Sequence, residues 1–340
     1  MNREPSLQDE DQDEEERLAL NLRPVTLSEY IGQPQLVESL RIALTAAKQR
    51  NEPLEHILLH GPPGLGKTTL AHIIANEMQS RITHTAGPAL EKPADIVGIL
   101  SNLDTAEVLF VDEIHRLSRT IEEYLYSAME DFEVSFIYGK GAFAKTLPYQ
   151  LKQFTMVGAT TRAGMLTAPL RDRFGMVYHL DYYSHEELAK VVKRSASILG
   201  VLIEDTGAQE IAKRSRGTPR LANRLLRRVR DYAEVNADGK VTREIADEAL
   251  TREGVDKVGL DKLDRLYLTT IMENYNGGPV GVEALAATLN EEANTLVDVV
   301  EPYLLKTGFV IRTPAGRRIG EAGRAHFGFA PEIGAQQRLL

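Results

Sequence analysis

The sequence predicts an α/β fold in three parts: a domain with a parallel β-sheet, a small helical domain and a C-terminal winged helix. Three observations support this. A glycine-rich loop stands between an apolar run and a helix-forming segment, two later apolar runs end in polar side chains, and the last quarter combines short helices with a basic hairpin. A chain of 340 residues has room for two or three domains.

Composition excludes several classes of protein. The chain has no cysteine, which excludes a disulfide framework, a thiolate nucleophile and a cysteine-based zinc site. No apolar run approaches the roughly 20 residues needed to span a bilayer, and the acidic N-terminus is unlike a signal or transit peptide. With 43% hydrophobic and 26% charged residues, the chain has a globular composition. We therefore expect a cytoplasmic protein with no membrane partner.

The net charge of −9 is distributed unevenly. Residues 1–16 contain eight acidic residues and one arginine, so that residues 1–20 are expected to form a disordered tail. Residues 211–230, in contrast, contain eight lysines and arginines and no acidic residue. Apart from the tail, the chain is nearly neutral with local basic patches, which is compatible with nucleic-acid binding.

The glycine-rich loop organises the first domain. Residues 61–68, within H-G-P-P-G-L-G-K-T-T, fit the pattern G-x-x-x-x-G-K-[ST]. Glycines let the backbone N–H groups curl around a phosphate, and the helix that follows presents its positive end. We expect Lys67 to reach the β- and γ-phosphates and the Thr68 hydroxyl to ligate Mg²⁺. An ordinary turn before a helix is the alternative, but strand, loop and helix together favour a nucleotide site.

The next apolar run, 108–111, ends in the carboxylates Asp112 and Glu113. A carboxylate at the C-terminal end of a parallel strand lies in the crevice where open α/β sheets bind ligands. We expect Asp112 to hold Mg²⁺ through its waters and Glu113 to orient the attacking water. Alone, the run could be an ordinary strand end. Downstream of a phosphate loop, it predicts nucleotide hydrolysis.

Two further segments supply polar groups to the same site. An apolar strand ends at Thr160 and Thr161, where a hydroxyl can hydrogen-bond the γ-phosphate or the attacking water. We favour Thr160 and leave Thr161 open. The segment L-R-D-R-F-G then contains Arg171 and Arg173, and arginine stabilises the charge of a phosphoryl transition state, often from a neighbouring subunit. Arg173 is our candidate, the alternative being that both arginines merely pair with Asp172 or with surface acids.

A hairpin is predicted over 134–147, between the two polar-ended strands, with its turn at 139–141. Ile137, Tyr138 and Phe143 lie near its tip, where solvent favours polar residues. Exposed apolar side chains on a protruding element indicate a docking site for a partner. Packing of the same side chains on their own domain is the alternative.

The helical domain is predicted over 184–254, with helices over 186–199, 208–214, 219–235 and 243–252. The third helix opens with G-T-P-R, so that Arg220 would contact phosphates from a lid. Its later arginines are expected to form a solvated or subunit-facing surface.

The C-terminal region, 255–340, combines three short helices with two basic strands on either side of T-P-A-G. Three helices and a hairpin make a winged helix, a variant of helix-turn-helix. Arg312, Arg317 and Arg318 would face DNA phosphates and contribute affinity without reading sequence. The same module can serve protein contacts alone, so both uses stay open.

Five motifs precede the winged helix in a set order: G-P-P-G-L-G-K-T-T, F-V-D-E-I-H-R, G-A-T-T-R, P-L-R-D-R-F-G and R-G-T-P-R-L-A-N-R-L-L-R-R-V-R-D. In this order they closely resemble the RuvB family of AAA+ P-loop ATPases, the bacterial motors of Holliday-junction branch migration. The resemblance covers residues 22–331 and leaves out the acidic tail. It implies a large ATPase domain over 21–183, a lid over 184–254 and a winged-helix domain over 255–340.

The resemblance implies an ATP- and Mg²⁺-dependent motor in DNA recombination and repair. It implies a homo-hexameric ring around the duplex arms of the junction, with ATP at the subunit interfaces. The implied partners are DNA, RuvA, which holds the junction, and the resolvase RuvC. The hairpin over 134–147 takes the place of the element that docks onto RuvA.

The resemblance also assigns roles to single residues. Those expected at the adenosine are Leu22, Arg23 and Tyr183. Those expected at the phosphates are Gly64, Lys67, Thr68 and Thr69, and those expected to border the nucleotide as well are Glu130, Asp131 and Phe132. Arg173 would be the finger from the next subunit, Arg220 the sensor in the lid, and Arg312 and Arg317 the contacts to the DNA backbone.

Two rival classes remain on the residues alone. One is a clamp-loader-like or regulatory switch whose winged helix binds protein, and DNA-dependent ATPase activity with strand or branch displacement would distinguish the motor from it. The other is a protein-unfolding machine, for which the expected aromatic-Val-Gly loop before the Asp112–Glu113 strand is missing.

Overall fold

The computed structural model describes residues 21–138 and 145–328, and of 136–138 and 145–146 it describes the backbone alone. The chain divides into two compact units, with the boundary between Tyr183 and Ser184.

Three sequence predictions lie outside the described residues: the acidic tail over 1–20, the hairpin turn at 139–141 and the placement of Phe143. The same holds for the side chains of Ile137 and Tyr138. Among the helices that are described, none is both long and apolar enough to cross a membrane.

The first unit alternates strands and helices. In chain order these are α1 (Pro34–Arg50), β1 (Ile57–His60), α2 (Lys67–Glu77), β2 (Ile82–Ala86), α3 (Pro93–Ser101), β3 (Val108–Asp112), α4 (Arg119–Glu130), β4 (Glu133–Tyr138), β5 (Lys145–Gln150), β6 (Thr155–Thr160), α5 (Ala168–Arg171) and β7 (Met176–His179). Five of the strands form one sheet in the order β2-β3-β6-β1-β7, and every pair in it is parallel. The predicted parallel sheet is confirmed.

The central strands β1, β3 and β6 are buried along almost their whole length. A strand covered on both faces has no solvent side, which is why these sequences are continuous apolar runs and do not alternate. Leu58, Leu109 and Met156 from the three strands join one core with side chains of α3 and α4. Because the strands are parallel, their C-terminal ends open on one edge, and the phosphate loop, Glu113 and Thr160 all lie there.

The strands β4 and β5 pair antiparallel as a separate hairpin, from Glu133 opposite Gln150 to Tyr138 opposite Lys145. Val134, at the base of the hairpin, is buried in the core of the sheet domain. The base is therefore anchored by packing, and the use of the hairpin for docking stays a prediction.

The second unit begins with four helices, α6 (His185–Ile198), α7 (Asp205–Lys213), α8 (Pro219–Asn236) and α9 (Arg243–Arg252), and a parallel pair of two-residue strands, β8 (Leu202–Ile203) and β9 (Lys240–Val241). Ser184 caps α6: its Oγ accepts from Glu187 N at 3.2 Å, and Ser184 N donates to Glu187 Oε2 at 2.8 Å. The sequence did not reveal β8 and β9, because two residues are too short to show an alternating pattern.

The winged helix follows in the same unit. It contains α10 (Lys262–Asn274), α11 (Val282–Leu289), α12 (Ala293–Thr295), α13 (Glu301–Lys306), β10 (Val310–Thr313), β11 (Gly316–Ile319) and α14 (Glu321–His326). The strands β10 and β11 pair antiparallel as predicted. A helix was expected over 296–305, but 296–300 form a widened π-helical turn between α12 and α13. Pro302 accounts for the change, because it has no N–H to continue the regular helical ladder.

Candidate nucleotide site

The loop between β1 and α2 has a backbone that glycine alone tolerates. Gly61, Gly64 and Gly66 have φ values of 141°, 79° and 99°. A Cβ on Gly61 would lie 2.3 Å from the carbonyl oxygen of Leu180. Gly66 precedes α2 without a side chain to cap it, so the first N–H groups of the helix remain for an anion. The loop therefore fits a phosphate group.

Lys67, the first residue of α2, is folded back on the loop. Its Nζ donates to the carbonyl oxygens of Gly61 and Pro62, each at 2.8 Å. Burial lowers the pKa of Lys67 to about 8, although Asp112 and Glu113 act in the opposite direction. The ammonium group thus holds two neutral acceptors, and a phosphate oxygen is a stronger partner than either. Thr68 and Thr69 are half-buried in the first turn of α2.

The two carboxylates after β3 adopt different backbone conformations. Asp112 ends the strand, and its Oδ1 accepts from Glu113 N at 2.9 Å. Glu113 has a left-handed φ of 48°, which is unusual and costly for a residue with a side chain. Gly87 fits this turn, since a Cβ there would lie 2.5 Å from the carbonyl oxygen of Glu113. The fold therefore holds Glu113 in a strained turn at the edge of the sheet where the phosphate loop lies.

Thr160 ends β6 opposite His60 of β1 and is fully buried. Its Oγ1 accepts from Arg162 N at 2.9 Å and lies 2.8 Å from Nδ1 of His115. The other ring nitrogen of His115, Nε2, lies 3.4 Å from Glu113 Oε2. Thr161 is half-buried beyond the end of the strand, and the choice of Thr160 over Thr161 stays a prediction.

At the other side of the phosphate loop lies a pair of tyrosines. Tyr183 donates its hydroxyl to the hydroxyl of Tyr30 at 2.8 Å, and Tyr30 lies 3.4 Å from the carbonyl oxygen of Leu65 in the loop. Gly32 gives the ring of Tyr183 its space, because a Cβ there would lie 2.5 Å from it. The segment before α1 is thus tied to the loop.

Leu22 is buried and Arg23 half-buried in this segment. The pKa of His72 on α2 is lowered by burial and then by the positive charge of Arg23. These two of the three predicted adenosine residues therefore belong, like Tyr183, to the phosphate-loop end of the first unit.

Arg173 lies at the opposite end of the sheet. Its Nη2 pairs with Glu130 Oε2 at 2.7 Å, and its guanidinium stands 4.7 Å from the centre of the Tyr126 ring. Arg173 precedes β7, and Glu130 ends α4, where the neighbouring Met129 carbonyl contacts His56 just before β1. These residues are thus at the N-terminal ends of the strands.

The predicted residues Glu130, Asp131 and Phe132 share this end of the sheet with Arg173. The carbonyl of Phe132 accepts from Leu151 N at 2.7 Å, which joins the start of the hairpin to the core. The four residues of β1 separate them from the phosphate loop by about 13 Å at roughly 3.3 Å per residue. Within one chain, Arg173 does not reach its own Lys67.

The second unit contributes the remaining predicted residues. Arg220 lies exposed in the first turn of α8. In the winged helix, Arg312 Nε donates to Glu301 Oε2 and Arg317 Nε to Glu301 Oε1, both at 2.8 Å. Tyr267 adds a hydrogen bond to the same carboxylate at 2.9 Å.

Glu301 is the centre of this cluster, with a side chain that is 0% exposed. Burial would raise the pKa of Glu301, but hydrogen bonds from Arg317, Arg312 and Tyr267 hold it below its ordinary value. The sequence led us to expect both arginines to face outward. In the structure the buried carboxylate draws both guanidinium groups to itself, leaving Arg312 48% exposed and Arg317 18% exposed.

Three residues of these clusters were missed by sequence reasoning: Tyr30, His115 and Glu301. His115 carried a weak indication, since it stands inside the motif F-V-D-E-I-H-R without being singled out, whereas Tyr30 lies outside the five motifs. Glu301 carried a clearer one, because it and Asp298 are the charged residues of an otherwise mostly apolar segment over 296–305, and a buried charge requires a partner. The basic hairpin that follows supplies that partner.

The loop, the carboxylate pair and the buried threonine on one edge of a parallel sheet define a P-loop ATPase of the AAA+ class, here followed by a lid and a winged helix. Three family models match the chain in succession: the Holliday junction DNA helicase RuvB P-loop domain over 22–180, the RuvB AAA lid domain over 183–256 and the RuvB C-terminal winged helix domain over 257–328. The chain therefore belongs to the RuvB family of Holliday junction branch migration motors, and it binds nucleotide through its P-loop domain.

Individual relatives agree with the family models. The chain is 58% identical over 308 residues to the Holliday junction branch migration complex subunit RuvB of Desulfosudis oleivorans, covering 91% of this chain and 90% of that protein. It also resembles the solved Thermotoga maritima RuvB Holliday junction branch migration motor, with a TM-score of 0.83, 50% identity and coverage of 92% and 99%. A lysine-to-arginine variant of that protein gives a TM-score of 0.85 at 50% identity, covering 91% and 99%.

Proposed function

We propose that this chain works as a ring of six identical subunits around the duplex arms of a Holliday junction, where ATP hydrolysis drives branch migration during recombination and repair. RuvA would hold the junction and dock on the hairpin over 134–147, and RuvC would resolve the product. Contacts with the DNA would be independent of sequence, and the protein would act in the cytoplasm. The ATPase domain would comprise 21–183, the lid 184–254 and the winged-helix domain 255–340.

The phosphate-loop end would hold ATP. Leu22, Arg23 and Tyr183 would contact the adenosine, an assignment supported by the tyrosine pair that ties this segment to the loop. Gly64, Lys67, Thr68 and Thr69 would contact the phosphates, supported by the glycine-only backbone of the loop and by the start of α2. Thr68 and Asp112 would hold Mg²⁺, which supplies positive charge beside the phosphates.

Hydrolysis needs alignment and charge more than covalent chemistry. The ammonium group of Lys67 would leave the carbonyls of Gly61 and Pro62 and neutralise developing charge. Glu113 would accept a hydrogen bond from the attacking water and so orient it. Thr160, held from behind by Arg162 N, would contact the water or the terminal phosphate.

One observation carries the proposal of a ring: Lys67 and Arg173 lie at opposite ends of the same sheet. An arginine at the N-terminal ends of the strands completes an active site only on a second copy of the chain. Glu130, Asp131 and Phe132 lie beside Arg173, so they would border the neighbour's nucleotide and not their own. Repeating this head-to-tail contact generates a ring when the rotation between neighbouring copies closes, as a ring of six requires.

The lid and the winged helix are joined by contacts of Arg216, through which they would move together. Arg216 of the lid pairs with Asp264 and, at 2.5 Å, with Asp261, while its Nε donates to the carbonyl of Gly259 at 2.8 Å. Arg220 stands four residues along from Arg216, at the start of α8. A response of Arg220 to the nucleotide phosphates would thus be passed on to the DNA-contacting hairpin.

The experiment that tests the proposal is migration of a synthetic four-way junction by the purified chain with ATP, with and without RuvA. We expect RuvA-stimulated branch migration that Arg173→Ala abolishes, because no other finger completes the site. Arg171→Ala, on the exposed neighbouring arginine, is the matched control and should migrate junctions normally. ATP hydrolysis without junction movement under any condition would refute the motor.

A mixing experiment tests the shared site separately. Lys67→Ala and Arg173→Ala each lack one half of every site, but in mixed rings an intact loop can meet an intact arginine. We expect ATPase activity to return when the two inactive variants are mixed. No recovery in verified mixed rings would refute the transfer of Arg173 between subunits.

A further inference from the structure

His115 lies between two residues that the proposed chemistry uses, and nothing so far assigns it a role. It belongs to the short 3-10 turn Ile114–Arg116 directly after Glu113. Its Nδ1 is 2.8 Å from Thr160 Oγ1 and its Nε2 is 3.4 Å from Glu113 Oε2. A single ring therefore bridges the end of β6 and the residue that follows β3.

For a neutral His115 ring, one arrangement of the hydrogen atoms fits both contacts, whereas a doubly protonated ring would donate to Thr160 and Glu113 at once. Arg162 N donates to Thr160 Oγ1, so the hydroxyl proton of Thr160 is directed elsewhere, and Nδ1 of His115 accepts it. A neutral ring then carries its own proton on Nε2, which faces the carboxylate of Glu113. The reverse tautomer would place the Nε2 lone pair against a carboxylate oxygen. The chain of donors thus runs from Arg162 through Thr160 and His115 to Glu113.

Packing fixes the ring but not the carboxylate. The His115 side chain is 5% exposed, whereas that of Glu113 is 38% exposed. The turn beneath is held by Arg116 N donating to the Glu113 carbonyl at 2.9 Å and by the fully buried Ile114. A partly exposed glutamate side chain can adopt several rotamers. The Nε2 of the fixed His115 ring lies 3.4 Å from Glu113 Oε2 and favours the rotamer that keeps this contact.

We propose that His115 is a positioning residue for ATP hydrolysis: it sets the orientation of the Glu113 carboxylate and links it to Thr160. This rests on the proposed function, in which Glu113 orients the attacking water. Thr160 has one hydroxyl proton, so donating it to a phosphate oxygen releases His115 from Thr160. The orientation of the Glu113 carboxylate therefore depends, through the His115 ring, on whether Thr160 donates to a phosphate.

Two amide substitutions of His115 separate its contact with Thr160 from its contact with Glu113. Asparagine places its polar atoms at the level of Nδ1, so His115→Asn keeps the Thr160 contact and loses the one to Glu113. Glutamine reaches the level of Nε2, so His115→Gln keeps the Glu113 contact and loses the one to Thr160. We expect His115→Asn to lower kcat roughly tenfold or more, by analogy with residues that orient a ligand. His115→Gln should retain more activity, and the Kd for ATP should stay within about twofold in both.

The controls separate positioning from folding. His185→Asn, at an exposed histidine in the first turn of α6, should match the unchanged protein. Both His115 variants should melt within a few degrees of each other. Equal losses of kcat in the two variants that follow their loss of thermal stability would overturn the proposal, since a structural role alone predicts that result.

A spectroscopic measurement tests the bridge without activity. The full chain has eight histidines, and ¹⁵N-histidine labelling with magic-angle-spinning NMR distinguishes protonated from unprotonated ring nitrogens. His115→Gln identifies the signals of His115. We expect Nε2 protonated and Nδ1 hydrogen-bonded without nucleotide, with the Nδ1 signal shifting when a non-hydrolysable ATP analogue and Mg²⁺ are added. A ring protonated on Nδ1, or an Nδ1 signal that does not respond, would overturn the link.

The failure of this inference can be told from failure of the proposed function. If Glu113→Gln hydrolyses ATP at the normal rate, the role assigned to Glu113 is wrong. If Glu113→Gln is slow but His115→Asn is as fast as the unchanged protein, only the inference fails. Should both hold, adding His115→Asn to Glu113→Gln should cause little further loss, because residues that act through one group are not additive.

Discussion

The phosphate loop and the winged-helix hairpin both place cations predicted to meet phosphates against acceptors of their own chain, but the acceptors differ. Lys67 holds the neutral carbonyls of Gly61 and Pro62. Arg312 and Arg317 hold the buried carboxylate of Glu301. A cation on neutral acceptors keeps its full charge for an incoming anion, whereas one on a carboxylate is already partly neutralised. The loop is thus prepared for a phosphate, while the hairpin offers less charge to DNA than its sequence indicates.

The largest expected effect concerns Lys67 in the phosphate loop. Lys67→Ala removes the ammonium group that would exchange the loop carbonyls for a phosphate. We expect ATP to bind roughly a hundredfold more weakly, which corresponds to the loss of one strong charge-assisted hydrogen bond. Binding of a fluorescent ATP analogue measures it, with Lys190→Ala, an exposed lysine of α6, as the control. Affinity within about twofold of normal would show that the loop backbone alone holds the phosphates.

The second prediction concerns Arg312 and Arg317, which share the carboxylate of Glu301 but differ in exposure. Arg317 is mostly buried, so Arg317→Ala should cost about 2 kcal/mol of unfolding free energy, because Glu301 loses a partner where water cannot replace it. Arg312 is half-exposed, and Arg312→Ala should cost well under that. Denaturant unfolding of each variant gives the difference.

DNA binding provides the complementary measurement on the same variants. Arg312→Ala should reduce the dependence of duplex affinity on log salt by about one if its exposed side contacts a phosphate. A matched control is Arg324→Ala on α14, outside the two strands. Equal unfolding free energies for Arg312→Ala and Arg317→Ala would contradict the asymmetry, and an unchanged salt dependence for Arg312→Ala would favour protein contacts for the winged helix.

The difference between the two regions also explains how far the sequence could be interpreted. β1, β3 and β6 were found because double burial leaves continuous apolar runs, and the phosphate loop because its glycines and Lys67 have a fixed spacing. Neither pattern indicates which acceptor of its own chain a side chain contacts in the absence of a ligand. The pairing of Arg317 with Glu301 depends on two elements folding together 16 residues apart, and the bridge from Thr160 through His115 spans 45 residues. Such contacts are set by tertiary packing.

A third, smaller effect is the pH dependence of ATP binding. Burial lowers the pKa of Lys67 to about 8, against the opposing charges of Asp112 and Glu113. The charged fraction of Lys67 therefore falls as pH rises through 8, and ATP affinity should fall by up to about tenfold between pH 7 and pH 9. Equilibrium binding of an ATP analogue across this range measures the change. Lys67→Arg should flatten the profile, since a guanidinium stays charged throughout.

The winged helix should behave differently in the same pH range. The hairpin side chains predicted to contact DNA are arginines, and hydrogen bonds from Arg317, Arg312 and Tyr267 hold the pKa of Glu301 below its ordinary value. Arg312, Arg317 and Glu301 therefore all stay charged between pH 7 and pH 9. Duplex affinity at constant salt should accordingly stay level while ATP affinity declines. If duplex affinity and ATP affinity declined in parallel, one titrating group would serve both regions. The difference between the neutral acceptors of Lys67 and the charged acceptor of the two arginines would then not explain how the two regions behave.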